Sequence, residues 1–163
     1  MNTATLQREG TRPILRFERH FSKPLLEVWR AITDRDELSS WFPHDIEGEW
    51  KVGAELGFVD RENRMDPMSG SVLEVDEPRV LSFTWGPETL RFELTAAADG
   101  GTDLVLTDEL AQSHAARNAA GWDVCLAALE GADGVEWKPL FDRYVELFEP
   151  ALGVQEGPPP GFE

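Results

Sequence analysis

The run Trp41-Phe42-Pro43-His44-Asp45 sets two large aromatics directly before a proline, a histidine and a carboxylate. Histidine titrates near neutral pH, so a carboxylate that oriented it could make His44 a general base. Neighbouring residues on a strand point to opposite faces, however, which leaves Asp45 badly placed to orient His44. The preferred reading of the pair is a solvated strand start, with a place on a pocket rim as the intermediate case. Asp108 is the second candidate. Counting by twos from Leu104 and Leu106 puts it on their inward face, near a strand end. A carboxylate entering an apolar cavity would have a raised pKa and could anchor or protonate a ligand's polar group. A strand end where that face reaches water is the simpler alternative and is favoured.

Other chemistries leave weaker marks. His20, His44 and His114 have no ligand-like spacing, so no metal is expected. Cys125 sits one turn from Trp122 and Leu129 in a helical pattern, where a buried cysteine behaves as a small hydrophobe. Ser69-Gly70-Ser71 lacks the flanking glycines of a nucleophile elbow, and no glycine-rich phosphate loop occurs. No catalytic residue is assigned, and no cofactor is expected.

Composition narrows the class. A chain of 163 residues with six Trp, nine Phe and a hydrophobic fraction of 41% can bury a substantial core as one domain. The net charge of -16 argues against a nucleic-acid surface and against adsorption to anionic membranes. A single cysteine excludes an internal disulfide. The first ten residues hold no apolar run of a secretory signal, and no stretch approaches the ~20 apolar residues of a membrane helix. A cytoplasmic location is therefore expected.

The elements that would position these residues follow from periodicity. Leu15, Phe17, Arg19 and Phe21 alternate with Arg16, Glu18 and His20 as in a strand. A helix begins near Pro24, runs to about Ile32, and buries Leu25 or Leu26, Trp29 and Ile32. Asp34, with Glu37 three residues on, caps a second short helix carrying Leu38 and Trp41, which Pro43 ends. Six strands are expected next, at Ile46–Trp50, Glu55–Val59, Met68–Val75, Val80–Trp85, Thr89–Thr95 and Thr102–Leu110. A long helix from about His114 to Leu129, with Ser113 as its cap, lays Ala115, Ala119, Trp122, Leu126 and Leu129 on one side. A further amphipathic helix spans residues 133–149. Residues 1–12 read as a flexible N-terminus, 13–132 as the domain, and the Pro- and Gly-rich residues 150–163 as a disordered tail. The fold class is α+β, with a seven-stranded antiparallel sheet, two short helices after the first strand and a long helix covering the concave face. Small residues on that helix leave room for a cavity.

Several segments in this order resemble one family. They are the run from Pro24 to Asp34, Leu38 to Phe42, Val52 to Phe58, Gly70 to Trp85 and Gly121 to Leu129. Together they resemble the START/Bet v 1-like helix-grip superfamily, also called SRPBCC. Within it they are similar to the family named for the C-terminal domain of the activator of heat-shock protein 90 ATPase homologue. The resemblance implies a curved sheet gripping the long helix, often with a hydrophobic cavity between them. It would be lined by Phe58, Val72, Phe83, Trp85, Phe92, Leu106, Trp122 and Leu126, with Trp41 and Phe42 near its mouth and Asp108 as the polar group. A small hydrophobic ligand is the first expected function. A protein-interaction or co-chaperone role and a cyclase- or dehydratase-type enzyme are the alternatives. A protein partner is possible, and the chain itself is expected to be a monomer or a homodimer.

Overall fold

Alternation of buried and exposed residues builds most of the chain into sheet. The computed structural model describes residues 3–159. In chain order the elements are β1 (Thr5–Glu9), β2 (Arg12–Phe21), α1 (Leu25–Thr33), α2 (Arg35–Leu38), β3 (Asp45–Glu47), β4 (Glu55–Val59), β5 (Met68–Asp76), β6 (Val80–Trp85), β7 (Glu88–Ala96), β8 (Thr102–Glu109), α3 (Ala115–Leu129) and α4 (Trp137–Leu152). The strands form one antiparallel sheet in the order β1-β2-β8-β7-β6-β5-β4-β3. Only neighbours in sequence pair, except where β2 meets β8 and draws the two ends of the domain together.

The sheet has eight strands among the described residues, one more than expected. The extra strand is β1, which lies in the segment read as a flexible N-terminus and pairs along its whole length with β2. Its polar sequence hides it, because an edge strand can be held by backbone hydrogen bonds with little apolar content. The helix boundaries near Pro24 and Asp34 are as expected. Asp34 accepts from the amides of Asp36 at 3.0 Å and Glu37 at 3.2 Å, satisfying two of the free donors at the start of α2. In α1 the buried face is Val28, Trp29, Ala31 and Ile32, while Leu26 is exposed.

The concave face carries Leu15, Phe17, Leu81, Phe83, Leu90, Phe92, Leu104 and Leu106, all buried. Ala115, Ala119, Trp122 and Leu126 bury one side of α3, as their spacing requires. A second stripe, Ala116, Ala120, Asp123 and Ala127, is buried too, because α4 packs on α3. Gly70 allows β5 to cross β6 closely: a Cβ there would stand 1.9 Å from the Thr84 carbonyl oxygen.

The C-terminal segment departs most from expectation. The last helix runs to Leu152, beyond the expected end at 149, and the chain then returns over the start of α3. Gln155 is buried; its Oε1 accepts from the Ala116 amide at 2.8 Å and its Nε2 donates to the Gln112 carbonyl at 2.9 Å. Ser113, expected to cap α3, instead donates its hydroxyl to Glu156 Oε2 at 2.5 Å. A glutamine about forty residues downstream thus serves a free amide of the helix start. Of the segment expected to be disordered, residues 160–163 lie outside the described residues.

Candidate functional site

Trp85 ends β6, and Glu88 opens β7 directly opposite it in the hairpin register. Leu90 pairs with Asp108 on the neighbouring β8, so Glu88, two residues earlier on the same face, is the diagonal neighbour of Asp108. Asp108 is fully buried and accepts from Trp122 Nε1 of α3 at 2.9 Å through Oδ2. Its other oxygen, Oδ1, finds no donor among ordinary partners. The Glu88 carboxyl lies within hydrogen-bonding reach of Asp108 and accepts from Asn118 Nδ2 at 2.8 Å through Oε1. Two ionised carboxylates have no proton to put between them, whereas one shared proton satisfies Asp108 Oδ1. Burial and then the charge of Asp108 push the Glu88 carboxyl up to about 10, and burial likewise raises Asp108. At neutral pH the pair therefore holds one proton.

The favoured reading of Asp108 as a strand end reaching water is overturned. Trp122 and Glu88 close over it, and the sheet face stays dry to its last residue. Glu88 was missed altogether, although counting backward by twos from Leu94, Phe92 and Leu90 lands on it.

His44 is also buried, which corrects its reading as part of a solvated strand start. Its ring stacks edge-on to Trp85 at 5.5 Å, and Trp85 Nε1 lies 3.2 Å from His44 Nδ1. Indole nitrogen only donates, so Nδ1 must accept and the imidazole proton sits on Nε2. Burial lowers the His44 pKa and keeps the ring neutral. Asp45 points away, as strand geometry requires, and pairs with Arg61 Nη1 at 2.9 Å.

These groups meet at a cavity of about 430 Å³ at one end of the sheet. Trp85, Trp122, Trp137, Met65, Met68 and Pro43 supply most of its apolar wall. The polar part comes from His44, Glu88, His114, Arg117 and Asn118, with Pro158 and Pro159 of the returning segment at its edge. His114, Arg117, Asn118, Gly121 and Trp122 follow a helical period of three and four, so one face of the α3 region fronts the cavity. Asp60, held well below the usual carboxylate range by the Arg64 guanidinium, organises the loop that brings Met65 there.

Of the residues expected to line a cavity, Trp85 and Trp122 do so. Phe58, Val72, Phe83, Phe92, Leu106 and Leu126 are instead packed in the core between sheet and helix. Trp41 and Phe42, expected near the mouth, are core residues as well. Trp41 donates through Nε1 to the Ala31 carbonyl at 2.8 Å, and Phe42 packs 5.6 Å from Trp85 and 5.8 Å from Trp122. Phe42 fills the space that would have joined the cavity to the centre of the domain. Cys125 is a poor nucleophile, since burial pushes its thiol up to about 12. No cluster of three or more His, Cys, Asp or Glu among the described residues could hold a metal ion. No described helix is long and apolar enough to cross a membrane.

A curved antiparallel sheet closed over one long helix defines a helix-grip protein of the Bet v 1-like superfamily. The family described as activator of Hsp90 ATPase homolog 1-like protein matches residues 23–132, about two thirds of the chain, and the chain belongs to that family. Among solved structures it is similar to a conserved protein of unknown function from Enterococcus faecalis, with 22% identity, a TM-score of 0.75 and coverage of 88% of this chain and 89% of that one. CalU16 from Micromonospora echinospora is 23% identical at a TM-score of 0.73, covering 91% and 96% of the two chains. DynU16, a protein of the dynemicin biosynthetic locus, is 26% identical at a TM-score of 0.63, over 72% of this chain and 46% of that one. No curated protein matches the sequence.

Proposed function

We propose that the protein binds a small, largely apolar ligand in the cavity between the Trp85–Glu88 hairpin and α3. The observation that carries this reading is a cavity of ligand size with aromatic walls and a few converging polar groups. Burial of apolar surface, at about 25 cal/mol per Å², would supply most of the affinity, and the polar groups would set orientation. Membership of a family whose fold commonly encloses ligands supports the same reading. The buried core residues Phe42, Phe83 and Phe92 act as structure beneath the site and not as its lining.

Gly121 provides the test. It lies on the cavity face of α3, and a Cβ built there meets nothing within 4 Å. Gly121→Leu should fill the cavity from the helix side without a clash and should gain helix propensity of up to about 1 kcal/mol. The wild type is expected to bind an uncharged solvatochromic dye such as Nile red, with a blue-shifted emission, and Gly121→Leu to lose that binding while unfolding no earlier. Equal dye binding by the two proteins would place the apolar site elsewhere and overturn the proposal.

A further inference from the structure

The cavity's hydrogen-bonding groups are arranged to meet a ligand of one charge type. At one side, Trp85 fixes the neutral tautomer of His44, and the ring's second nitrogen carries the proton. That nitrogen has no hydrogen-bond partner among the described residues, and His44 lines the cavity. It is a fixed donor without charge. Across the Trp85 side chain stands Glu88, backed by the buried Asp108 and held by Asn118. The pair's one proton lies between the two acids, so Glu88 has only acceptor capacity left for a ligand.

Two guanidinium groups on one side, and the acid pair's remaining charge with the Glu156 carboxylate on the other, leave the surroundings balanced. Arg117 of α3 fronts the cavity, and Arg12 of β2 reaches the adjoining turn, donating to the Pro87 carbonyl at 3.0 Å. Both guanidinium groups act on the acid pair. His114, the remaining titratable group on this wall, is paired with Glu156 at 3.1 Å. A ligand carboxylate reaching the inner wall would meet the Glu88–Asp108 anion. An ammonium would meet the two guanidinium groups and would receive no carboxylate free of other partners.

Building on the ligand-binding reading above, we infer that the cavity selects an uncharged, oxygen-bearing aromatic or alicyclic ligand, whose oxygen accepts from His44 Nε2–H and whose hydroxyl donates a hydrogen bond to Glu88. Phenols, naphthols and hydroxy-ketones fit this description; fatty acids and amines do not. The Trp85 side chain acts as a positioning residue, because its indole N–H is what turns the His44 donor toward the ligand.

Calorimetric titration of the full chain at pH 7 with 2-naphthol, 2-naphthoate and 2-naphthylmethylamine separates the possibilities. 2-Naphthol is expected to bind at least about tenfold more tightly than either ion. His44→Phe should lower its affinity about tenfold, and His44→Gln, which keeps a donor, should recover most of the loss. Tighter or equal binding of the carboxylate or the amine would overturn the inference while leaving an apolar binding site intact. Unchanged naphthol affinity in His44→Phe would overturn the assignment of the donor. Failure of all three compounds to bind would overturn the inference, and the reading on which it rests falls only if Nile red fails to bind as well.

Discussion

Replacing Glu88 by Gln is expected to stabilise the protein at neutral pH and to flatten its pH dependence. In the native fold the Glu88 carboxyl is pushed up to about 10, whereas an unfolded glutamate titrates near 4.3. Between those values the folded chain holds a proton that the unfolded chain has released. Stability therefore falls as pH rises across this window, and it is fullest below the unfolded pKa. Glutamine reproduces the protonated carboxyl at every pH. Its amide can donate to Asp108 Oδ1 while its oxygen keeps the Asn118 bond. The net charge of the pair stays the same, since Asp108 remains the anion. The gain at pH 7 should be on the order of 1–3 kcal/mol, shrinking toward zero near pH 4. Urea unfolding of both proteins from pH 4 to pH 9 measures it. Parallel curves, or a destabilised variant at pH 8, would mean that Glu88 is ionised in the native state.

The opposite sign is expected at Asp123, a buried carboxylate of a different kind. Asp123 of α3 takes a hydrogen bond from Arg19 Nη2 at 2.6 Å and one from the Tyr144 hydroxyl at 2.5 Å. Both Asp123 and Tyr144 are buried, and the Arg19 side chain nearly so. Burial pushes the Asp123 carboxyl up, and Tyr144 and Arg19 pull it back. Asp123→Ala would leave a guanidinium without its anion and a phenol without its acceptor. Removing one partner of such a pair costs about 3–5 kcal/mol, much of the margin of a domain this size. Tyr144→Phe removes two hydrogen bonds, one to Asp123 and one from the Ala4 amide, and should cost about 1–3 kcal/mol. Chemical denaturation distinguishes the two; a loss below about 1 kcal/mol for Asp123→Ala would show that the ion pair adds little.

These two carboxylates show where sequence reasoning reached and where it stopped. Period-two runs such as Leu81-Phe83-Trp85 and Leu90-Phe92-Leu94 specify strands on their own, because one face must be buried. The helical stripe of α3 is equally plain. Asp108 could be placed on the inward face by counting, but its partner could not be found without the β7–β8 register. Two residues of slip would exchange Glu88 for Leu90 beside it. Asp123 was overlooked because it belongs to the second buried stripe of α3, and that stripe exists only because α4 covers it. The family resemblance puts Trp41 and Phe42 near a mouth. Their side chains turn inward because the irregular segment before β3 supplies the layer between α1 and the sheet. The returning segment at Gln155 offered no signal, since its Pro and Gly content is that of an unstructured chain and its hold is a set of polar contacts from Gln155, Glu156 and Gly157 to the start of α3.

The Tyr144 hydroxyl also receives the amide of Ala4, at 3.0 Å and 140 residues away in sequence. One phenol thus fastens the lead-in to β1, the final helix and the long helix together. Contacts of such separation close very long loops and bring little local order with them. β1 and α4 should accordingly come loose as a single cooperative unit, before the sheet opens. Their amides would then exchange with solvent at a common, lower free energy than those of β6, β7 and β8. A tag or fusion attached near either end would be felt at the other.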